Sequence, residues 1–135
     1  MIIGDTNVGK TSILFRYVNG SFDKEMKMTC GAGFKTKEVS YNDKGDKIKL
    51  NIWDTAGQEK YDALTKMYFK GAEAALVVYD MTEENSFEKA KKWVLDLEEA
   101  LEFEQVKALI YLVGNKSDMT DCQSVSTKDA IEYAK

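Results

Sequence analysis

The sequence predicts an α/β fold in which helices cover both faces of a mostly parallel sheet, with one antiparallel hairpin strand at the edge. Three observations carry that expectation. Met1-Ile2-Ile3 reads as the end of a buried strand running into a glycine-bounded loop, and Thr11-Ser-Ile-Leu-Phe-Arg-Tyr-Val then reads as a helix start. Ala74 to Tyr79 and Ala108 to Val113 are continuous apolar runs, as parallel strands covered on both faces require. Between those runs, Asn85 to Phe103 sets Phe87, Ala90, Val94, Leu97 and Leu101 at helical spacing, one buried stripe on a surface helix.

The remaining elements follow in order. The first helix spans about Lys10 to Val18 and stops at Asn19-Gly20. Phe22 to Gly33 has no clean period and reads as a mobile loop. Phe34 to Tyr41 and Lys47 to Trp53 flank Asn42-Asp43-Lys44-Gly45-Asp46, a hairpin signal. In the second arm Ile48, Leu50 and Ile52 are expected inward. Asp54-Thr55-Ala56-Gly57-Gln58-Glu59 is expected to break that strand, and a short helix to cover Tyr61 to Phe69. On the long helix Lys89, Lys91, Lys92, Glu98 and Glu99 read as a solvated face. Asn115 to Ser124 reads as loop, and Ser126-Thr127-Lys128-Asp129 opens a last helix running to Lys135. One domain, residues 1–135, is the natural count.

Composition excludes several functions. The net charge is −4 with no basic cluster, which argues against nucleic acid as a partner. The apolar runs are too short to span a bilayer, and no signal peptide precedes the loop, so a cytosolic chain is expected. Cys30 and Cys122 lack metal-ligand spacing and read as reduced thiols. Histidine is absent, which removes His-based triads and His-ligated metals.

Gly4-Asp5-Thr6-Asn7-Val8-Gly9-Lys10-Thr11 fits the phosphate-binding pattern G-x-x-x-x-G-K-[ST]. Its glycines let successive N–H groups converge on one anion, and Asn7, Val8, Gly9, Lys10, Thr11 and Ser12 are the expected contacts. Lys10 brings positive charge to the β- and γ-phosphates, the Thr11 hydroxyl holds Mg²⁺, and the helix N-terminus adds its dipole. Asp54 ends a strand beside this loop, the arrangement that holds Mg²⁺, often through water. Gly57 lets its N–H approach the γ-phosphate. Gln58 stands where an amide orients an attacking water. Asn115-Lys116-Ser117-Asp118 selects the base: a carboxylate with two acceptors pairs with the adjacent N1–H and N2–H of guanine, whereas adenine offers an acceptor at N1.

Together these segments resemble the Ras superfamily of small GTPases, and Trp53-Asp-Thr-Ala-Gly-Gln-Glu59 is similar to its Rab branch. Tyr61-Asp-Ala-Leu-Thr-Lys-Met-Tyr-Phe-Lys-Gly-Ala72, followed by Ala74-Ala-Leu-Val-Val-Tyr-Asp80, most resembles the early-endosomal Rabs. The resemblance covers essentially the whole chain and implies the P-loop NTPase fold of small G proteins. It implies that Thr29 is the switch I threonine, ligating Mg²⁺ by its hydroxyl and meeting the γ-phosphate by its N–H. Phe22 matches the aromatic that packs against guanine. Phe34, Trp53 and Tyr68 match the aromatic triad that effectors read; by spacing alone these three are core or hairpin packing.

By the same resemblance the chain is a monomeric switch binding GTP or GDP with Mg²⁺. Catalysis falls to Lys10, Thr29, Gly57 and Gln58, and the metal to Thr11, Thr29 and Asp54. Effectors, an exchange factor and a GTPase-activating protein are the implied partners. Arg16 is the only arginine and lies two turns along the first helix, so an arginine finger must come from elsewhere and unaided hydrolysis is expected to be slow. Relatives have a longer first strand, a base-supporting Ser-Ala-Lys loop, a final strand and helix, and a prenylated tail. None of these stands in the sequence, so an incomplete domain is expected, with membrane attachment only in a fuller form. Two other readings stay open: a non-hydrolysing nucleotide-binding interaction module, and an incomplete domain with impaired nucleotide binding.

Overall fold

The computed structural model describes residues 1–23, 25–26, 29, 32–57 and 67–135. Five strands form one mixed sheet in the order β2-β3-β1-β4-β5. In chain order the elements are β1 (Ile2–Gly4), α1 (Lys10–Asn19), β2 (Ala32–Ser40), β3 (Lys47–Thr55), β4 (Ala74–Asp80), α2 (Glu84–Glu104), β5 (Leu109–Asn115) and α3 (Thr127–Tyr133). β1 pairs in parallel with both β3 and β4, β4 in parallel with β5, and β2 runs antiparallel to β3. The layered α/β architecture with its antiparallel edge hairpin is therefore as the sequence predicts.

Alternation along the central strands builds two cores. Ile3 and Val77 face a cluster with Phe69, Ala90, Trp93 and Leu97, so the stripe of α2 covers that side. Ile2 and Val78 face the other way, into a smaller cluster with Leu14 of α1 and Val8 of the loop. Trp93 is buried in the first core and meets Phe69 edge-on, ring centroids 6.5 Å apart, whereas Val94 is only partly buried. Ser86 fixes the start of α2 beneath β4: its hydroxyl accepts from the Asp80 N–H at 2.9 Å and donates to the Glu83 carbonyl at 2.7 Å.

Several local expectations change. β3 does not break at Asp54 but continues through Thr55, because Gly33 and Ala32 of β2 pair with Asp54 and Thr55. The Thr55 hydroxyl also donates to the Ile2 carbonyl at 3.0 Å, tying the strand end to β1. Ile48 is not inward; it is 43% exposed because the hairpin tip projects past the core, while Ile52 packs against the α1-side cluster. β5 is not buried on both faces: as the edge strand it leaves Leu109 and Tyr111 exposed. It also extends through Asn115, and a 3₁₀ turn at Thr120–Cys122 follows inside the segment read as loop. Helix α1 ends at a left-handed Gly20 as the sequence predicts. The Ser126 hydroxyl caps α3 by accepting from the Lys128 N–H at 3.2 Å, but that helix ends at Tyr133. Of the expected Tyr61 to Phe69 helix, residues 61–66 lie outside the described residues.

Leu97 is fully buried at the contact of α2 with the sheet. Leu97→Ala is expected to lower the unfolding free energy by about 2–5 kcal/mol, from lost burial plus a residual cavity. Urea denaturation of parent and variant measures this directly.

Candidate functional site

The site grows from the end of β1. Past Gly4 the chain turns through residues 5–9 and enters α1 at Lys10. Val8 plunges its side chain into the core, pinning the middle of the loop from below. Asn7 takes φ 61° and Gly9 φ 95°, two left-handed positions that curl the backbone around the loop's concave side. Gly9 is the N-cap of α1 and has no side chain to offer the first N–H groups, which are left to a ligand. A Cβ at Gly9 would also fall 2.3 Å from Asn115 Nδ2, so only glycine fits.

The cavity above the loop measures about 370 Å³, and its lining includes Asn7, Gly9, Lys10, Thr11, Ser12, Thr29 and Gly57. Lys10 is 6% exposed and donates to the carbonyls of Gly4 at 2.9 Å and Asp5 at 2.6 Å. Burial lowers its pKa to about 8, against the pull of the nearby Asp54 and Asp5 carboxylates. A buried ammonium beside open helix N–H groups attracts an anion strongly. Thr6, Met26 and Thr55 also line the cavity. The sequence reading assigned none of them a role. Thr6 lies within the motif, but Met26 sits where no periodicity points and touches Ser12 Oγ at 3.8 Å through its sulfur.

Three oxygen groups from three segments meet at one side of the cavity. Thr11 Oγ1 donates to Asp54 Oδ2 at 2.6 Å and lies 2.5 Å from Thr29 Oγ1. Asp54 is 3% exposed, and its other oxygen, Oδ1, is buried with no hydrogen-bond partner among the described residues. Burial raises the Asp54 pKa, opposed by the Thr11 hydrogen bond and the charge of Lys10. A buried carboxylate oxygen without a partner is costly, and two hydroxyls beside it complete a hard-oxygen set. No cluster of three Asp, Glu, Cys or His side chains occurs among the described residues. Two hydroxyls and a carboxylate are all hard oxygen donors, a set that suits Mg²⁺, which retains water and takes few protein oxygens, better than a softer metal.

Gly57 closes the opposite wall. A Cβ there would lie 2.2 Å from the Asp5 carbonyl carbon and 2.4 Å from the Thr6 N, so the strand-end backbone packs directly on the loop. Gln58 lies outside the described residues. Asn115 is joined to the loop, its Nδ2 donating to the Val8 carbonyl at 2.8 Å. Lys116, at φ 61°, points its ammonium to Asp80 Oδ2 at 2.5 Å. Burial pushes the Asp80 carboxyl upward, but Lys116 and the Thr82 donors hold it below the usual range. Asp118 is exposed on the following turn, and Phe22 is 61% exposed; neither lines the phosphate-sized cavity. Phe34, Trp53 and Tyr68 form one contiguous stack, with centroids 4.7 and 4.9 Å apart, and Phe34 and Trp53 stay partly open to solvent.

Comparison with known proteins gives the family. A sequence model described as the Ras family matches residues 1–135. The chain belongs to the Ras family. It is 44% identical over 133 residues to the Ras-related protein Rab-22A of Mus musculus, covering 98% of this chain and 66% of that protein. It is 46% identical over 134 residues to the Ras-related protein Rab-31 of Rattus norvegicus, covering 98% and 66%. The GTP-binding protein ypt3 of Schizosaccharomyces pombe is 42% identical over 134 residues, covering 99% and 60%. The chain thus spans no more than 66% of the length of these three relatives. No helix among the described residues of this Ras-family chain is long and apolar enough to cross a membrane.

Asn115 bridges the end of β5 to the loop. Asn115→Ala leaves the Val8 carbonyl without its partner and is expected to lower unfolding free energy by about 1–3 kcal/mol even without ligand. Denaturant titration of the ligand-free protein checks it.

Proposed function

We propose that this protein is a Rab-like GTPase switch that binds GTP or GDP with Mg²⁺ and hydrolyses GTP slowly on its own. The observation that carries the reading is the chain of contacts from Thr29 through Thr11 to Asp54 Oδ2, whose sister oxygen Oδ1 is buried with no hydrogen-bond partner among the described residues, beside a buried Lys10 at a helix N-terminus. A scaffold needs none of these groups together. Supporting it are membership of the Ras family and the likeness to a relative named as GTP-binding.

In this reading the loop N–H groups and Lys10 hold the phosphates, and Thr11, Thr29 and Asp54 hold the metal. When bound, Mg²⁺ supplies neutralisation of the charge that develops between the β- and γ-phosphates. The Gly57 N–H fixes the terminal phosphate, and Gln58 orients the attacking water. Asp118 selects guanine and Phe22 covers it; both stand exposed, ready for a base that brings its own buried surface. Thr29 reaches Thr11 from between α1 and β2, and in this reading its N–H meets the terminal phosphate and loses that contact on hydrolysis, the two-state behaviour of a switch. Partners that read the ordered state bind through Phe34, Trp53 and Tyr68, and regulators supply exchange and the missing arginine. Relatives named as Rab proteins accompany this reading, and the setting proposed for the switch is vesicle or endosomal membrane traffic.

Purified protein, denatured and analysed by chromatography, is expected to release guanine nucleotide; release of adenine nucleotide or of none overturns the reading. Gln58→Leu is expected to lower single-turnover hydrolysis at least about a hundredfold while guanine nucleotide stays bound. Turnover at the parent rate refutes the water-orienting role.

A further inference from the structure

Asp5 is an acid inside a loop whose other groups favour anions. Its Oδ1 accepts from the Thr6 N–H at 2.8 Å, and its carbonyl accepts from Lys10 Nζ at 2.6 Å. Its Oδ2 lies 3.0 Å from Lys89 Nζ on the second turn of α2, a contact between segments 84 residues apart. The Asp5 side chain is 14% exposed and that of Lys89 39%. Asp5 also backs the wall at Gly57, whose missing Cβ would lie 2.2 Å from the Asp5 carbonyl carbon. The carboxylate therefore stands behind the end of the cavity where Gly57 meets the loop. In the nucleotide reading, that end receives the terminal phosphate.

Lys89 reads in the sequence as one charge of a solvated face, and a lone surface ion pair adds little to stability. Its effect on a ligand is different in kind. A triphosphate carries more negative charge than a diphosphate and carries it nearer to Gly57. An uncompensated Asp5 carboxylate would repel it more, through a wall that water screens poorly. We propose that Lys89 is a positioning residue that sets the preference between tri- and diphosphate, by neutralising Asp5 and tethering the loop to α2. The proposal rests on the nucleotide reading of the cavity and adds to it a residue outside the phosphate loop and the strand-end segments.

The test compares parent, Lys89→Met, Lys89→Arg, Asp5→Asn and the Asp5→Asn/Lys89→Met double variant. Dissociation constants are measured with Mg²⁺ for fluorescent GDP and a fluorescent non-hydrolysable GTP analogue, at low and high salt. Lys89→Met is expected to weaken the triphosphate analogue relative to GDP by about two- to fivefold, the scale of a partly exposed charge pair, and less at high salt. Lys89→Arg should keep the parent ratio, and Lys89→Met should leave the ratio unchanged when made in the Asp5→Asn background. Equal losses for both nucleotides, or a shift that persists in the Asp5→Asn background, would mark a merely structural role and overturn the proposal. A parent that binds neither nucleotide overturns the nucleotide reading and this proposal with it. Parent binding with an unchanged ratio in Lys89→Met overturns this proposal alone.

Discussion

Three residues of buried parallel strand hold the whole site in register. β1, Ile2–Gly4, is hydrogen-bonded on both sides, to β3 and β4, and its two isoleucines anchor opposite cores. Because β3 lies beside it, with Ile2 opposite Asp54, the strand end that carries the carboxylate comes level with the start of the phosphate loop. Because β5 reaches the loop through β4, Asn115 arrives within hydrogen-bond reach of Val8. Parallel pairing brings the carboxyl ends of β1, β3, β4 and β5 to one edge, where ligands bind in such sheets. A slip of one residue in β1 would exchange Ile2 and Ile3 between the cores and carry the loop away from Asp54.

The electrostatics of the site are those of a place prepared for opposite charges. Lys10 is buried deeply enough for its ammonium to be weakened, and Asp54 deeply enough for its carboxyl to be raised. Both shifts report charged groups held away from water with incomplete partners. For Lys10 the sign follows from linkage. Its depressed pKa means that the unfolded chain binds the proton more tightly, so this group costs stability below about pH 8 and the cost fades as pH rises toward its unfolded value. An anion in the cavity would offset the cost at Lys10 and a cation beside Asp54 the cost there, so in the proposed reading each ligand would favour the other. Asp80 is the contrasting case: Lys116 and Thr82 satisfy its oxygens within the protein, and its carboxyl is held low. The two aspartates, at the ends of the strands that flank β1, thus differ because one has its partners built in.

Much of this was legible in the sequence because it depends on local patterns. The loop motif fixes which backbone must curl, and the helical stripe of α2 fixes which face is buried. The continuous run at β4 fixes a strand covered on both faces, and the Gly20 and Ser126 signals fix helix ends. The misses share a cause. The extension of β3 through Thr55 needs a partner strand from earlier in the chain, Ala32 against Thr55 and Gly33 against Asp54, and no local period reports a partner. The exposure of Ile48, Leu109 and Tyr111 depends on where an edge or hairpin tip falls in the finished sheet. Met26 joins the cavity by position alone.

The amino-acid order by itself gave the residue types available: a G-x-x-x-x-G-K-T motif, a strand-end acid, the Asn115-Lys116-Ser117-Asp118 segment and no histidine. Chemistry of that sort is written in short segments, whose residue types and spacing are fixed by covalent geometry. Only the folded chain decided which charges compensate which. It placed Thr29 on Thr11, left Asp54 Oδ1 without a partner among the described residues, gave Lys116 to Asp80 and laid Lys89 against Asp5. Such pairings depend on distances through space between segments far apart in the chain, and sheet order and helix packing set those distances.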